Sequence, residues 1–198
     1  MAETEIYVLR HGQTDWNRRG ALQGQLDTPL NDAGLAQARD AAKLLAGLSF
    51  AAVYASPLRR ARDTARLATG WAPGAIETDA RLLEIAFGTW EGCESAALGE
   101  RIRPFLEASE AYVPPAGGET FDELLARARA FLLDAGARHA GQRILAVSHG
   151  ALMHAMLLAL DDRPLATFWQ PPLGNCAVLR FYGPALRGEV ACPGVFAR

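Results

Sequence analysis

The stretch Ile6-Tyr7-Val8-Leu9-Arg10-His11-Gly12 decides how this chain is read. Its apolar run is rich in β-branched and aromatic residues, lies between polar flanks and is too short for a helix, so it is read as a buried strand. The strand delivers Arg10 and His11 to its carboxyl end, a fixed cation beside a nucleophilic imidazole. Gly12 lets the backbone turn there and lets a ligand approach closely. Open α/β sheets bind ligands at that edge, and the trio suits an anionic, phosphate-like group. The plainer alternative is a strand end with an exposed basic pair, and the tripeptide alone does not separate the two.

With 198 residues, 50% of them hydrophobic, the chain can bury a core without disulfides or metals, and one domain over residues 1–198 is the expectation. A formal net charge of −2 argues against a global basic footprint for nucleic acid or an anionic membrane; any cationic site must be local. Cys93, Cys176 and Cys192 are odd in number and far apart, matching neither a disulfide framework nor zinc spacing. The amino terminus is acidic and runs straight into the first strand, unlike a signal peptide. No apolar run reaches the roughly 18 residues that span a bilayer. The expectation is a soluble, cytoplasmic protein.

Beyond Gly12, residues 13–31 are polar and turn-rich. Asn31 or Asp32 caps a helix over Ala33 to Leu45, and Ala51 to Ala55 is a second strand. Ser56-Pro57 is expected to cap and start a helix over Leu58 to Ala68, with proline in its first turn. Ile76 marks a short strand. A weaker helical pattern between Glu94 and Ala111 is interrupted by Pro104. Glu119-Thr120 opens a helix whose Phe121, Leu124, Leu125, Ala128, Phe131 and Leu132 form a core-facing stripe. Arg143 to Ser148 is the clearest strand, running into His149-Gly150 and an apolar helix over Ala151 to Leu160. Val178 to Tyr182 is expected to be the last strand, with coil after it. Strands alternating with helices make an α/β layer structure.

Two strands thus end in His-Gly: Arg10-His11-Gly12 and Ser148-His149-Gly150. In a parallel sheet both histidines lie on one edge, where the helix after His149 adds its first N–H groups and positive dipole end. His139 and His154, on helical segments, are read as surface and packing residues. Arg59, Arg60 and Arg62 sit at the start of the helix after the second strand, and at least one should point into the crevice, where a guanidinium fork holds phosphate oxygens. Glu84 follows two leucines in a loop rich in aromatics, and an apolar setting raises a carboxyl pKa towards what a general acid requires.

Taken together, these segments resemble the histidine phosphatase superfamily, in the branch of the cofactor-dependent phosphoglycerate mutases and their phosphatase relatives. The likeness runs from Ile6 to Tyr182. Arg10-His11-Gly12-Gln13-Thr14 with Trp16-Asn17, Gln23-Gly24 and Asp27-Thr28-Pro29-Leu30 is similar to its amino-terminal signature. Ser56-Pro57-Leu58 with Arg60-Ala61 and Thr64-Ala65 is similar to a second motif and singles out Arg60. Glu84 with Phe87-Gly88 and Trp90-Glu91-Gly92 matches the acid loop, and Val147-Ser148-His149-Gly150 the second histidine motif.

The resemblance implies a three-layer α/β/α fold around a mainly parallel sheet, with a cap-like insertion around residues 94–118. It also implies a metal-independent phosphomonoesterase without a cofactor. His11 would take the phosphoryl group, a choice between the histidines that only the resemblance makes. Arg10, Arg60 and His149 would bind the equatorial oxygens, and Glu84 would protonate the leaving oxygen and then activate water. Asn17, Gln23, Gly24 and Gly150 would contact the substrate, with Trp16, Phe87, Trp90 and the 94–118 segment walling the leaving-group side.

The same chemistry serves a phosphoglycerate mutase. Mutases of the family carry a longer insertion with adjacent arginines, an arginine where this chain has Ala21, and a tyrosine where it has Phe87. Here the insertion is short and offers only Arg101 and Arg103. These departures favour hydrolysis of a small phosphorylated metabolite over the mutase reaction, and over a non-catalytic phospho-ligand-binding domain. Relatives range from monomers to tetramers; a homodimer is among the allowed states and nothing in the sequence marks an interface.

Overall fold

The computed structural model describes residues 3–108, 110–160 and 164–192. Its elements are β1 (Glu5–Arg10), α1 (Asp15–Arg18), α2 (Asp32–Leu44), β2 (Ala52–Ala55), α3 (Arg59–Thr69), β3 (Glu77–Thr78), α4 (Ser95–Leu98), α5 (Arg103–Leu106), α6 (Phe121–Arg138), β4 (Arg143–Ser148), α7 (Gly150–Ala159), β5 (Val178–Tyr182) and β6 (Arg187–Cys192). The strands form one mixed sheet in the order β3-β2-β4-β1-β5-β6. β1, β2, β3 and β4 run parallel, and β5 is antiparallel to both β1 and β6.

Alternation along β1 sorts its side chains between two layers. Ile6 and Val8 join a core with α6 and α7, while Leu9 joins a second core with α2 and α3. α7 is buried along most of its length, from Ala151 to Leu158, which explains its nearly continuous apolar sequence. The helix starts use local chemistry. Asn31 accepts from the Gly34 N–H at the start of α2, and Thr120 and Glu123 form a reciprocal capping box on α6. In the 94–118 stretch, Pro104 occupies the first turn of α5, and Leu98, Ile102, Phe105, Ala108 and Tyr112 are buried in the α6–α7 core. No helix among the described residues is long and apolar enough to cross a membrane.

Two expectations need correction. Residues 187–192 are not coil: they form β6, which pairs with β5 as an edge strand, while residues 193–198, also expected to be coil, lie outside the described residues. The exposure of β6 alternates between open and half-buried, and its half-buried face is only Gly188, Val190 and Cys192, so its sequence carries little strand signal. Gly188 has room for no side chain there, since a Cβ would come within 2.6 Å of the Phe181 ring. Ser56 and Pro57 do not cap α3 either. The N-cap is Leu58, without a side-chain hydrogen bond, and the Ser56 hydroxyl is committed elsewhere.

Candidate active site

Sheet register alone brings three strand ends level. Arg10 is opposite Ser148, Ala55 is opposite Val147, and the His11 and Ser56 N–H groups donate to the Ser148 and Val147 carbonyls, each at 2.9 Å. The residues one step further, His11 and His149, therefore meet, with ring centroids 5.1 Å apart. His11 is 2% exposed, and its Nδ1 lies 2.6 Å from the Gly12 carbonyl. A carbonyl only accepts, so the proton sits on Nδ1 and Nε2 keeps its lone pair. Burial, then Arg60 and Arg10, hold the His11 pKa well below the ordinary histidine value, against the opposing pull of the Gly12 bond.

His149 is fully buried, and burial, followed by Arg60, likewise keeps it neutral. Its Nε2 is 2.8 Å from the Ser56 hydroxyl. The same oxygen accepts from the Leu58 N–H at 3.4 Å. The other ring nitrogen, Nδ1, is buried and without a partner. Ser56 thus orients the second histidine rather than a helix.

Arg60 is fully buried, whereas Arg59 and Arg62 are exposed. Its Nη1 donates to the Leu26 carbonyl at 2.7 Å and its Nη2 to the Gly24 carbonyl at 2.8 Å. Burial lowers its pKa to about 10, so it stays charged at neutral pH. Arg10 is tethered through Nη1 to the Leu173 carbonyl. The Nε groups of both arginines are buried donors without partners, a pair of unsatisfied cationic N–H groups beside His11.

Glu84 is half-buried, but its setting is not the apolar one expected. Its carboxylate accepts from the Ile85 N–H at 3.0 Å and from the Leu152 and Ala151 N–H groups of α7's first turn at 3.3 and 3.4 Å. Arg10, His11, Asn17, Gln23, Gly24, Arg60 and Glu84 line one cup of about 120 Å³. Gly150 is on an adjoining vestibule of about 370 Å³ that shares Arg10, Glu84 and Phe87 with the cup. His149 stands behind His11. Within the cup wall, Gln23 accepts from the Thr14 and Thr28 hydroxyls, and Asn17 closes the capping box of α1 with Thr14.

Glycines make the cup possible. Gly24 has φ of +52°, and a Cβ there would fall 2.0 Å from the Glu91 carboxylate. The expectation that Gly12 lets a ligand approach needs correction, since Gly12 lines neither cavity. The atom that approaches it is the Gly34 carbonyl in the first turn of α2, 2.4 Å from where a Cβ would sit. Gly12→Ala should therefore destabilise the fold by about 3 kcal/mol, read as a lowered midpoint in urea unfolding. An unchanged midpoint would contradict this packing.

The aromatic wall also differs from expectation. Phe87 lines both cavities, but Trp16 and Trp90 line neither; their places are taken by Phe105 and Trp169. His154, read as a packing residue, does pack on Trp169 but also lines the vestibule. His139 is a surface residue as read, closing α6 and bonding Tyr54.

Sequence reasoning missed the roles of Ser56 and Thr64, and missed Asn175 and Arg127 altogether. The Thr64 hydroxyl accepts from the Gly12 N–H and donates to the Arg60 carbonyl, and Asn175 donates to the His11 carbonyl. Arg127 binds the carbonyls of Arg81, Leu83 and Glu84 at 2.9, 2.6 and 3.0 Å and both oxygens of Glu119. No signal in α6 distinguishes it from an exposed helix arginine. Arg127→Met should lower kcat about 100-fold with KM nearly unchanged, because the Glu84 loop loses its anchor. A wild-type kcat in steady-state assays would refute that role.

A family model for the histidine phosphatase superfamily (branch 1) matches residues 6–185. The chain belongs to this superfamily. It is 37% identical to a metal-independent phosphoserine phosphatase of Arabidopsis thaliana, over 80% of this chain and 69% of the relative. It is 35% identical to a glucosyl-3-phosphoglycerate phosphatase of Mycobacterium tuberculosis, over 88% and 82%. Among solved structures, Bacillus stearothermophilus YhfR superposes with a TM-score of 0.87 at 32% identity, covering 98% of each chain. A phosphoserine phosphatase of Entamoeba histolytica in complex with phosphoserine gives 0.84 at 28%, covering 94% of each. The superfamily's enzymes share this layered fold, and this chain is one of them.

Proposed function

We propose that this enzyme hydrolyses phosphomonoesters of small metabolites, without a metal, through a phosphohistidine on His11. The observation that carries this reading is the Gly12 carbonyl on His11 Nδ1, which leaves Nε2 as a neutral nucleophile in a cup walled by two arginines and Glu84. The Nε2 lone pair forms an N–P bond as the P–O bond to the alcohol breaks, and Glu84, as general acid, gives a proton to the departing oxygen. Glu84 then takes a proton from water. The water oxygen bonds to phosphorus, the N–P electrons return to Nε2, and inorganic phosphate leaves.

Arg10 and Arg60 hold the equatorial oxygens through the unpartnered Nε groups, with His149 beside His11, so positive charge and oriented donors take the developing charge. Asn17, Gln23 and Gly24 shape the substrate side of the cup. Gly150 opens α7 beside Arg10, where a Cβ would stand in ordinary contact 3.4 Å from its guanidinium carbon. A relative's name supports the metal-independent reading, and others support small phosphorylated substrates. The free Cys93, Cys176 and Cys192 support a reducing, cytoplasmic home.

A second reading, the mutase reaction, has a relative named probable phosphoglycerate mutase GpmB from Enterobacter in its favour. Against it, Arg101 and Arg103 are both exposed, and Arg103 is paired with Glu100 and Glu107. The test is phosphate release from p-nitrophenyl phosphate in the presence of chelator, beside bisphosphoglycerate-dependent mutase turnover. Chelator-resistant release supports the hydrolase. Mutase turnover alone, or silence in both assays, overturns it.

A further inference from the structure

The vestibule beside the cup is the exit for the leaving group, because Glu84, which meets the leaving oxygen in the proposed reaction, borders both cavities. Its walls are apolar and aromatic. Phe87 and Phe105 meet edge to face at 5.0 Å, and Phe105 meets Trp169 in the same way at 5.1 Å. The Trp169 indole N–H is anchored on the Phe105 carbonyl at 3.0 Å, which fixes this corner. Pro172 and Leu173 complete the apolar lining.

Among the described residues, the vestibule's charged groups are Arg10 and Glu84, and both belong to the cup. Arg10 also borders the phosphate position and is tied to Leu173, so it has little left for a second anion. The remaining polar group is His154. It is 4% exposed, and its Nδ1 is buried without a hydrogen-bond partner. Burial, and then Arg10, lower its pKa to about 4, so it offers hydrogen bonding without charge. A carboxylate placed here would face Glu84 and aromatic walls with no cation of its own, and the Ala151 and Leu152 N–H groups at the α7 N-terminus are already taken by Glu84.

Resting on the hydrolase reading, we propose that the vestibule selects phosphomonoesters of uncharged alcohols with an apolar, planar body over those carrying a carboxylate, and that His154 sets this preference. The enzyme is thereby distinguished from relatives whose names specify phosphoserine or a phosphoglycerate. A polar substituent on the alcohol would be met by the neutral imidazole.

The test compares kcat/KM of the wild-type enzyme for 2-phenylethyl phosphate, phosphoserine and 3-phosphoglycerate, with p-nitrophenyl phosphate as the control. These three are alkyl esters, so activation of the leaving group by an aryl ring does not enter. The phenylethyl ester should exceed both carboxylated substrates by about tenfold or more. Parity, or preference for either carboxylated substrate, overturns the proposal while release from p-nitrophenyl phosphate leaves the hydrolase reading intact. Inactivity towards all four overturns the hydrolase reading and this one with it. His154→Arg puts a cation in the vestibule and should move the ratio towards the carboxylated substrates by about tenfold or more. His154→Gln, neutral and still hydrogen-bonding, should keep the wild-type order. An unchanged ratio in a folded His154→Arg enzyme, judged by circular dichroism, overturns the role given to His154.

Discussion

Replacing His11 by alanine should lower kcat by on the order of 10⁴-fold or more, because the proposed route loses its nucleophile and not just one of several stabilising contacts. The variant should still fold. His11 contributes little to the cores, and the Gly12 N–H keeps its bond to Thr64. The measurement is phosphate release, together with trapping of labelled phosphoryl enzyme after an alkaline quench. A phosphohistidine survives base and is lost in acid. Wild-type enzyme should give an adduct with that stability and the alanine variant none. Residual turnover within tenfold of wild type, or an adduct that survives acid but not base, would remove His11 from the nucleophile's role.

The second large effect is on Arg60→Gln, and it separates two jobs of one guanidinium. As a donor to the transferring phosphoryl group, Arg60 should be worth about 10³ in kcat. As a charge, it is the leading neighbour that depresses the His11 pKa after burial itself. A lowered pKa means that the nucleophile stays neutral as the pH falls through the ordinary histidine range. The acid limb of wild-type kcat/KM therefore lies well below pH 6.5 on the His11 side. Without Arg60 the imidazole protonates more readily, and the acid limb should move to higher pH. Comparing both enzymes on one substrate cancels the titration of the substrate itself. An acid limb that stays put, or moves down, would mean that Arg60 does not act on His11 electrostatically. On the alkaline side, wild-type activity should fall near pH 10 as Arg60 loses its proton.

How much was legible beforehand follows from the range over which each feature is determined. β1, β4 and α7 read correctly because alternation and apolar runs are local signals that survive into burial patterns. The start of α3 did not, because Ser56-Pro57 has the local chemistry of a cap while its hydroxyl has a partner 93 residues away. β6 was missed because an edge strand needs only half of its ladder and its half-buried face is short, with only Val190 and Cys192 packing inward. Arg127 was invisible for the same reason as Ser56: its partners in the Glu84 loop are more than forty residues distant.

The sequence by itself determined the alternation of strands and helices and put His-Gly at two strand ends. It also put an arginine cluster at a helix start, because these depend on periodicity and on glycine and proline geometry within a few residues. Local chemistry left open which of Arg59, Arg60 and Arg62 enters the cup. The resemblance singled out Arg60, and only the tertiary structure gives the reason, the phase of α3 as it leaves β2 and packs against the loop carrying Gly24 and Leu26. The tertiary structure also decided which nitrogen of His11 is bare and which aromatics wall the vestibule. Those choices are made by a carbonyl's direction and by side chains from Phe87, Phe105 and Trp169 meeting in space, and no local rule of the chain encodes such meetings.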